Sequence, residues 1–256
     1  MSQQMPLFIP DSTWTPPEVL PDLSTAKEIA IDLETHDPDL ITKGPGWATN
    51  TGEVVGVAIA TTDWSGYLPF KHQGGGNLEK DFVLKWLKKQ LSTSNDKVFH
   101  NALYDVGWLK RIGIEVSGTI QDTMIAAPLI NENRNRYSLD SLGSEYCDER
   151  KDESLLKEAA NAFKVDPKAG LWQLPANYVG PYAEQDAVLT LKLWHKLKDL
   201  LQKEEVDQIY SLERELLPLL LEMRWKGVKV DEKAAEEKAS FLLKEEQRLL
   251  SQIKKD

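Results

Sequence analysis

The sequence has a single cysteine and only short apolar runs, so it offers little from which to build disulfides, thiolate metal sites or membrane spans. A single cysteine, Cys147, excludes a disulfide within the chain and a zinc site built from several thiolates. The four histidines are scattered, with no pair at the spacing of metal ligands. The longest apolar runs, such as residues 54–60, suit a strand and are too short to cross a bilayer. The N-terminus lacks the basic start and apolar block of a signal peptide, so a cytoplasmic protein is predicted.

Positive charge is also scarce. The chain has 31 Lys and Arg residues against 41 Asp and Glu residues, which gives a formal net charge of -10. Proteins that bind nucleic acid usually present basic surfaces to the phosphates, so the composition argues against a nucleic-acid partner. A local cluster of carboxylates that binds metal cations would reverse the charge at one place and answer part of this objection.

The order of the predicted elements indicates an α/β fold. Residues 1–23 are rich in proline and are predicted to form an extended leader. Strands come first and then alternate with helices, as expected for a mixed sheet covered by helices. Asn77 is expected to cap the first long helix, and Asp122 to cap the helix TMIAAPLI. From residue 138 onward the segments show helical spacing and no strand is predicted.

The first predicted strand, EIAIDLE, carries two acidic residues on one face. Ile29, Ile31 and Leu33 alternate with Asp32 and Glu34, so a strand that buries the isoleucines turns both carboxylates the other way. A carboxylate pair on a buried strand is costly unless a partner compensates the charge. Divalent cations are suitable partners because hard cations prefer carboxylate oxygens.

Two further pairs stand at the spacing of one helical turn. Asn101 and Asp105 share one helical face, and Tyr182 and Asp186 share another. The Gly-Pro pair before Tyr182 is expected to mark a helix start. Each pair alone has a structural alternative, since Asn101 can cap its helix and Asp186 can be a solvated helix residue. The order of the three pieces along the chain favours a common site.

These pieces together resemble the motifs of the DEDDy group of 3′–5′ exonucleases, which is named for four acidic residues and a tyrosine. AIDLET corresponds to the first motif, HNALYDVGWL to the second and YAEQDA to the third. The resemblance covers about residues 24–200. All five signature positions are filled, by Asp32, Glu34, Asp105, Tyr182 and Asp186.

A second resemblance follows in the chain. Residues 212–231, LERELLPLLLEMRWKGVKVD, are similar to the segment that opens the polymerase domain of family A DNA polymerases, most of all the phage-type members. No palm, fingers or thumb sequence follows, so polymerisation by this chain alone is not expected. The sequence leaves open whether the chain is part of a larger polymerase or a natural split version.

The resemblance implies an RNase H-like fold, with a mixed five-stranded sheet flanked by helices and followed by a helical C-terminal extension. Residues 1–23 would form the leader and residues 24–203 the exonuclease domain. Residues 204–256 would form a helical segment like the start of a polymerase domain. The charged C-terminal helix carries apolar positions that would need a partner surface.

The implied chemistry uses two divalent cations, Mg²⁺ or Mn²⁺, about 4 Å apart at the scissile phosphate. Asp32 would bridge both ions. Glu34 and Asp186 would complete the site of the ion that activates water, and Asp105 would hold the second ion through water. Tyr182 would orient the attacking water by a hydrogen bond, because an ordinary tyrosine is too weak an acid to serve as a base at neutral pH.

The same resemblance implies a substrate and partners. The substrate would be the 3′ end of single-stranded DNA, and a polymerase domain in cis or in trans would be a partner, in the cytoplasm of a bacterial cell or a phage-infected host. No membrane contact is expected. The residues expected to contact the DNA are Leu33, Thr35, Asn101 and Tyr104.

Several alternatives stay open at this point. An RNA-processing exonuclease of the RNase D kind has the same five residues, although residues 212–231 favour DNA. A non-catalytic interaction module with an exonuclease-like fold is a third possibility, against which the intact signature argues. Asn101 either caps its helix or contacts a sugar or phosphate. Trp108 is interpreted as a core residue, and Trp172 is expected to pack beneath the third motif.

Overall fold

Five strands form one mixed sheet in the computed structural model, which describes residues 9–254. The strands are β1 (Glu28–His36), β2 (Glu53–Ala60), β3 (Ser65–Pro69), β4 (Asp96–Phe99) and β5 (Ile120–Asp122). Their order across the sheet is β3-β2-β1-β4-β5. β1 lies in the centre, antiparallel to β2 and parallel to β4, so it has a neighbouring strand on each side. The predicted mixed five-stranded sheet is confirmed.

Helices cover the sheet and make up the C-terminal part of the chain. A short 3-10 helix at Leu171–Gln173 precedes the longest of them. The α-helices of the described residues are α1 (Leu40–Lys43), α2 (Gly46–Thr49), α3 (Lys80–Leu91), α4 (Ala102–Arg111), α5 (Thr123–Ile130), α6 (Leu139–Tyr146), α7 (Ser154–Phe163), α8 (Ala176–Lys203), α9 (Asp207–Lys226) and α10 (Glu232–Ile253). The prediction of only helices after residue 138 is confirmed.

The central strand is buried on both faces. Ile29 and Ile31 are fully buried on one face, and Ala30 is fully buried on the other, where it joins a core cluster with residues of α8. Small alanine side chains let the helix approach the sheet closely. Because side chains alternate along a strand, Asp32 and Glu34 lie on the same face as Ala30, toward α8. The fold thus points both carboxylates at the helix that carries the third motif.

The start of α8 differs from the prediction. The helix begins at Ala176, and Pro181 lies inside its second turn. Proline has no N–H, so the carbonyl of Asn177 one turn earlier loses its helical partner. The hydroxyl of Ser12 in the leader donates a hydrogen bond of 2.7 Å to that carbonyl. This bond, together with the ring of Trp14 packed against Gly180, explains how the helix continues through the proline.

The predicted cap of α3 is wrong. The helix begins at Lys80, and the N-cap is Glu79, whose side chain accepts hydrogen bonds from two backbone N–H groups of the first turn. Asn77 instead bridges the backbone N–H and carbonyl of His72 and closes a loop. The amide of Asn77 can satisfy both groups at once, which a cap position would not allow. The helices α1 and α2 lie in a loop for which no helix was predicted.

The chain divides into two compact units between Leu221 and Glu222. The second unit contains the end of α9 and all of α10, and α10 has no buried residue. The expected segment boundaries at residues 23 and 203 remain predictions, and residues 1–8 of the expected leader lie outside the described residues. Within residues 9–254, none of the helices combines the length and apolar character that crossing a bilayer requires.

Candidate active site

The two acidic residues of β1 lie half-buried in a strongly charged environment. Burial, reinforced by the charge of Asp186, raises the pKa of Asp32 to about 7, against an opposing effect of Lys151. Burial also raises the pKa of Glu34 well above its usual range, with further contributions from the charges of Asp32 and Asp186. These mutual effects place the carboxylates of β1 and α8 within electrostatic reach of one another.

Asp105 reaches the same place from the first turn of α4. The pairing of β1 with β4 ends at Ala30, so the N–H of Leu33 lies beyond the last partner on that edge. Asp105 Oδ1 accepts a hydrogen bond of 3.1 Å from this N–H. Burial raises the pKa of Asp105, and the charge of Asp32 raises it further, while the Leu33 N–H opposes the shift. A backbone donor therefore fixes this carboxylate against the strand that carries Asp32.

The start of α4 tests the capping interpretation of Asn101. Asn101 stands at the N-cap with a left-handed backbone, φ 77°, and its side chain makes no capping hydrogen bond. Asp122 does the capping instead, since its two carboxylate oxygens accept from the N–H groups of Asn101 and Ala102. The same carboxylate also caps α5 at Met124, as predicted for that helix. The capping interpretation of Asn101 is wrong, and its side chain is exposed.

Tyr182 and Asp186 project from one face of α8 onto Lys151. Asp186 is buried, and its Oδ2 atom lies 2.5 Å from Lys151 Nζ. The same ammonium donates a hydrogen bond of 3.3 Å to the hydroxyl of Tyr182 and lies 4.9 Å from the centre of its ring. Burial raises the pKa of Tyr182, as do the charges of Glu34 and Asp186. The hydroxyl is therefore protonated at neutral pH.

Lys151 was not predicted as a site residue. The residue stands in a charged stretch between α6 and α7, DERKDE, which has the composition of a solvated loop. Burial alone would lower the pKa of Lys151, but the charge of Asp186 and the hydrogen bond with it outweigh burial and raise the pKa. Lys151 is therefore a permanent cation within the acidic cluster.

The predicted DNA-contacting residues divide into two groups. Leu33 and Thr35 line a cavity of about 240 Å³ together with Glu34 and Tyr182. Tyr104 lies beside it, and its hydroxyl is 2.7 Å from Thr35 Oγ1 and donates a bond of 3.0 Å to Asp37. Leu33, Thr35 and Tyr104 are thus brought together near the carboxylates. Asn101 is not among the residues that line this cavity.

A wider groove of about 730 Å³ shares Thr35 and Lys168 with that cavity. Trp172 lines this groove, where its ring stacks on His36 with 4.1 Å between ring centres. The expectation that Trp172 packs beneath the third motif is therefore wrong. Trp108 is 1% exposed, as expected for a core residue.

The acidic cluster has the donors that a hard cation prefers. Among residues 9–254, no three acidic, histidine or cysteine side chains stand ready to hold an ion in their present arrangement. One oxygen of Asp186, Oδ1, is nevertheless buried and has no hydrogen-bond partner in the described part of the chain. A buried carboxylate oxygen without a partner is costly, and a divalent cation is a suitable partner for it. The residues present therefore fit a metal site.

Comparisons with known sequences give a consistent result. A family model described as 3'-5' exonuclease matches residues 9–202. A DNA-directed DNA polymerase of Pseudomonas phage M6 is 37% identical over 259 residues, which cover 98% of this chain and 39% of that protein. DNA polymerase DpoZ of Salmonella phage PMBT28 is 30% identical, with 88% of this chain and 35% of that protein covered. The chain spans well under half the length of these curated relatives.

Solved structures show the same fold. Brucella melitensis NrnC bound to pGG is 19% identical, with a TM-score of 0.58, and the match covers 83% of this chain and 94% of that chain. The POL domain of Pol1 from M. smegmatis, in complex with DNA primer-template and dNTP, is 18% identical, with a TM-score of 0.57. That match covers 81% of this chain and 30% of the other. These likenesses confirm the RNase H-like architecture.

Proposed function

Because this chain belongs to the 3′–5′ exonuclease domain family of family A DNA polymerases, we propose that it removes the terminal nucleotide from the 3′ end of a single DNA strand in a metal-dependent reaction. One observation carries the proposal. The carboxylates of β1, α4 and α8 are close enough to raise one another's pKa values, Glu34 lines a cavity, and one buried oxygen of Asp186 has no partner within the described residues. Such a cluster is suited to binding cations and is costly without them.

The residues that would hold Mg²⁺ or Mn²⁺ are Asp32, Glu34, Asp105 and Asp186. A pair of bound divalent cations would lower the pKa of water and neutralise the charge that develops on the phosphate. The solved structure of Brucella melitensis NrnC with bound Mg²⁺, which has the same fold with a TM-score of 0.54, supports a magnesium site of this kind.

The side chains around the cluster have roles that follow from their chemistry. Tyr182 keeps its proton at neutral pH, so it orients a water by hydrogen bonding and does not act as a base. Asp105 is held in place by the Leu33 N–H, which fixes its distance from Asp32. The hydroxyl pair of Thr35 and Tyr104 stiffens the wall of the cavity. Asn101 has an exposed amide that can bond to a sugar or phosphate.

The cavity also answers the objection from the net charge. Lys168 lines it beside Glu34, and Lys157 lines it in an ion pair with Glu153, so positive side chains stand next to the acidic cluster. A phosphate backbone that enters the cavity would therefore have ammonium groups within reach as well as carboxylates. The overall charge of -10 therefore does not describe the surface that the substrate would contact.

We further propose that the exonuclease serves proofreading beside a polymerase domain, in cis or in trans. The relatives that support this role are DNA polymerases, including DNA polymerase I of Pseudomonas aeruginosa at 29% identity over 225 residues. The similarity of residues 212–231 to the opening of a polymerase domain points the same way. In α10, exposed apolar side chains such as Phe241 and Leu249 are available for contact with such a domain.

The test uses the full chain and single strands of DNA and RNA with the same sequence and a label at the 5′ end. With Mg²⁺ or Mn²⁺ we expect a ladder of products that shortens from the 3′ end of the DNA, and no ladder in EDTA. Faster degradation of the RNA would favour the RNase D-like alternative. An intact DNA substrate with either metal would favour the non-catalytic module and contradict the proposal.

A further inference from the structure

Lys151 is the one cation in the described residues that contacts both functional side chains of α8. Its ammonium lies 2.5 Å from Asp186 Oδ2 and 3.3 Å from the hydroxyl of Tyr182. It is not among the five signature positions. Its side chain is 14% exposed, whereas the lysine of the Lys192–Glu149 pair is 50% exposed. Exposed pairs contribute little to stability, but a buried one has a larger effect on its neighbours.

The loop that carries Lys151 is fastened to α8 at the residue next to Asp186. The Gln185 side chain accepts a hydrogen bond of 2.7 Å from Asp152 N and donates one of 3.1 Å to the carbonyl of Arg150. The side-chain amide of Gln185 thus hydrogen-bonds to the backbone on both sides of Lys151. The N–H of Lys151 also donates to Asp140 Oδ1 at 3.1 Å. Helix α8 therefore helps to fix the loop that positions the Lys151 ammonium.

We infer that Lys151 is a positioning residue, which holds the Asp186 carboxylate and the Tyr182 hydroxyl in place while no divalent cation is bound and gives up Asp186 to an incoming cation. The inference rests on the metal-dependent function proposed above. One oxygen of Asp186 contacts the lysine, and the other has no partner within residues 9–254. That second oxygen would be the atom that Asp186 provides to a divalent cation.

The physical basis is competition between two cations for one carboxylate. A divalent ion and an ammonium that share one carboxylate repel each other, so each weakens the binding of the other by the same factor. Removal of the ammonium should tighten metal binding. It should also leave the metal-free cluster of Asp32, Glu34 and Asp186 without its cation, so that the fold becomes more dependent on metal.

The experiment compares the full chain with the variants Lys151→Met and Lys192→Met, the second of which removes a lysine from an exposed pair. Mn²⁺ binding is measured by calorimetry, and thermal unfolding is followed in EDTA and in saturating Mn²⁺. We expect Lys151→Met to bind Mn²⁺ about tenfold more tightly, because the competing state is gone. Its melting temperature should fall below that of the unmodified chain in EDTA, and the deficit should shrink in Mn²⁺.

The control variant Lys192→Met should leave Mn²⁺ affinity unchanged and shift the melting temperature equally in both conditions. An equal deficit for Lys151→Met with and without Mn²⁺, or unchanged or weaker Mn²⁺ binding, would overturn the inference. If Lys151→Met does not fold in EDTA, the comparison uses this variant refolded in Mn²⁺ together with the charge-keeping variant Lys151→Arg. Lys151→Arg should bind Mn²⁺ within about twofold of the unmodified chain, and tenfold tighter binding would contradict the inference.

The two proposals fail in different ways. If the unmodified chain binds Mn²⁺ and Lys151→Met binds it equally well, only the role of Lys151 is refuted. If the unmodified chain binds no Mn²⁺ and leaves DNA intact, the metal-dependent function is refuted and the role of Lys151 with it.

Discussion

The two sides of the candidate site hold their carboxylates by different means. On the strand side, Asp105 is bound by the backbone N–H of Leu33. On the helix side, Asp186 is bound by the side chain of Lys151. A backbone donor in a central strand cannot move unless the sheet changes, whereas a lysine side chain has four rotatable bonds. One carboxylate is therefore fixed by the fold, and the other is held by a group that can move away.

The supports behind the two sides differ as well. The start of α4 is fixed by Asp122, which bonds to its first N–H groups from the neighbouring strand. The start of α8 is fixed by the leader, where Ser12 bonds to the Asn177 carbonyl and Trp14 donates a hydrogen bond of 3.0 Å to Glu184. The strand side therefore depends on the sheet, and the helix side depends on a segment from the opposite end of the chain.

The largest expected effect is on activity and is the same for both sides. Asp105→Asn and Asp186→Asn each keep the shape of the side chain and remove its charge. We expect each to lower exonuclease activity on single-stranded DNA by about a thousandfold, equivalent to about 4 kcal/mol of transition-state stabilisation. Initial rates with Mg²⁺ measure the loss. Near-normal activity in either variant would show that its carboxylate is not a ligand.

The next effect is on stability, and it should differ between the strand side and the helix side. In EDTA, Asp105→Asn should leave the free energy of unfolding unchanged or raise it, because the amide oxygen still accepts from Leu33 and a charge beside Asp32 is gone. Asp186→Asn should lower it by roughly 3 kcal/mol, because Lys151 loses its buried partner. Urea unfolding of both variants measures the difference. Equal losses would break the comparison between a fixed and an exchangeable carboxylate.

A third effect concerns pH on the strand side. The folded-state pKa of Asp32 is about 7, above its ordinary value of 3.8, so the unfolded chain releases this proton more readily than the folded chain. Stability in EDTA should therefore be lost as the pH rises from about 4 to about 7. Asp32→Asn removes this titration.

Relative to Asp32→Asn, the unmodified chain should lose about 2 kcal/mol between pH 5 and pH 8, less than the full pKa shift because solvent screens a half-buried group. Urea unfolding at both pH values measures the difference. Parallel stability curves for the two proteins would contradict the raised pKa.

The smallest effect probes the support of the helix side. Ser12→Ala removes the bond to the Asn177 carbonyl, which Pro181 cannot replace, and should lower the free energy of unfolding by about 1 kcal/mol. Pro181→Ala supplies an N–H for the same carbonyl, so in that background Ser12→Ala should cost much less. A double-mutant cycle measures the coupling, and additive effects would mean that Ser12 does not compensate for the proline.

Much of the fold could be predicted from local patterns in the sequence. The alternation in β1 put Asp32 and Glu34 on one face, and helical spacing paired Tyr182 with Asp186, because both repeats are set by the backbone alone. The placement of Asp122 as the cap of α5 was also local. The errors include Asn77, whose amide bonds to the backbone of His72 and does not cap a helix, and the start of α8, where a contact with the leader lets the helix continue through Pro181.

Local sequence patterns were enough to predict which side chains share a face, because a strand repeats every two residues and a helix every 3.6 residues in any fold. The partners of those side chains depended on how the chain packs. The bond from Ser12 to Asn177 joins residues 165 positions apart, and the ammonium of Lys151 comes from a loop with the composition of solvent-exposed chain. Each residue type has its own charge and hydrogen-bonding capacity, but the packing of the chain decides which group becomes its partner.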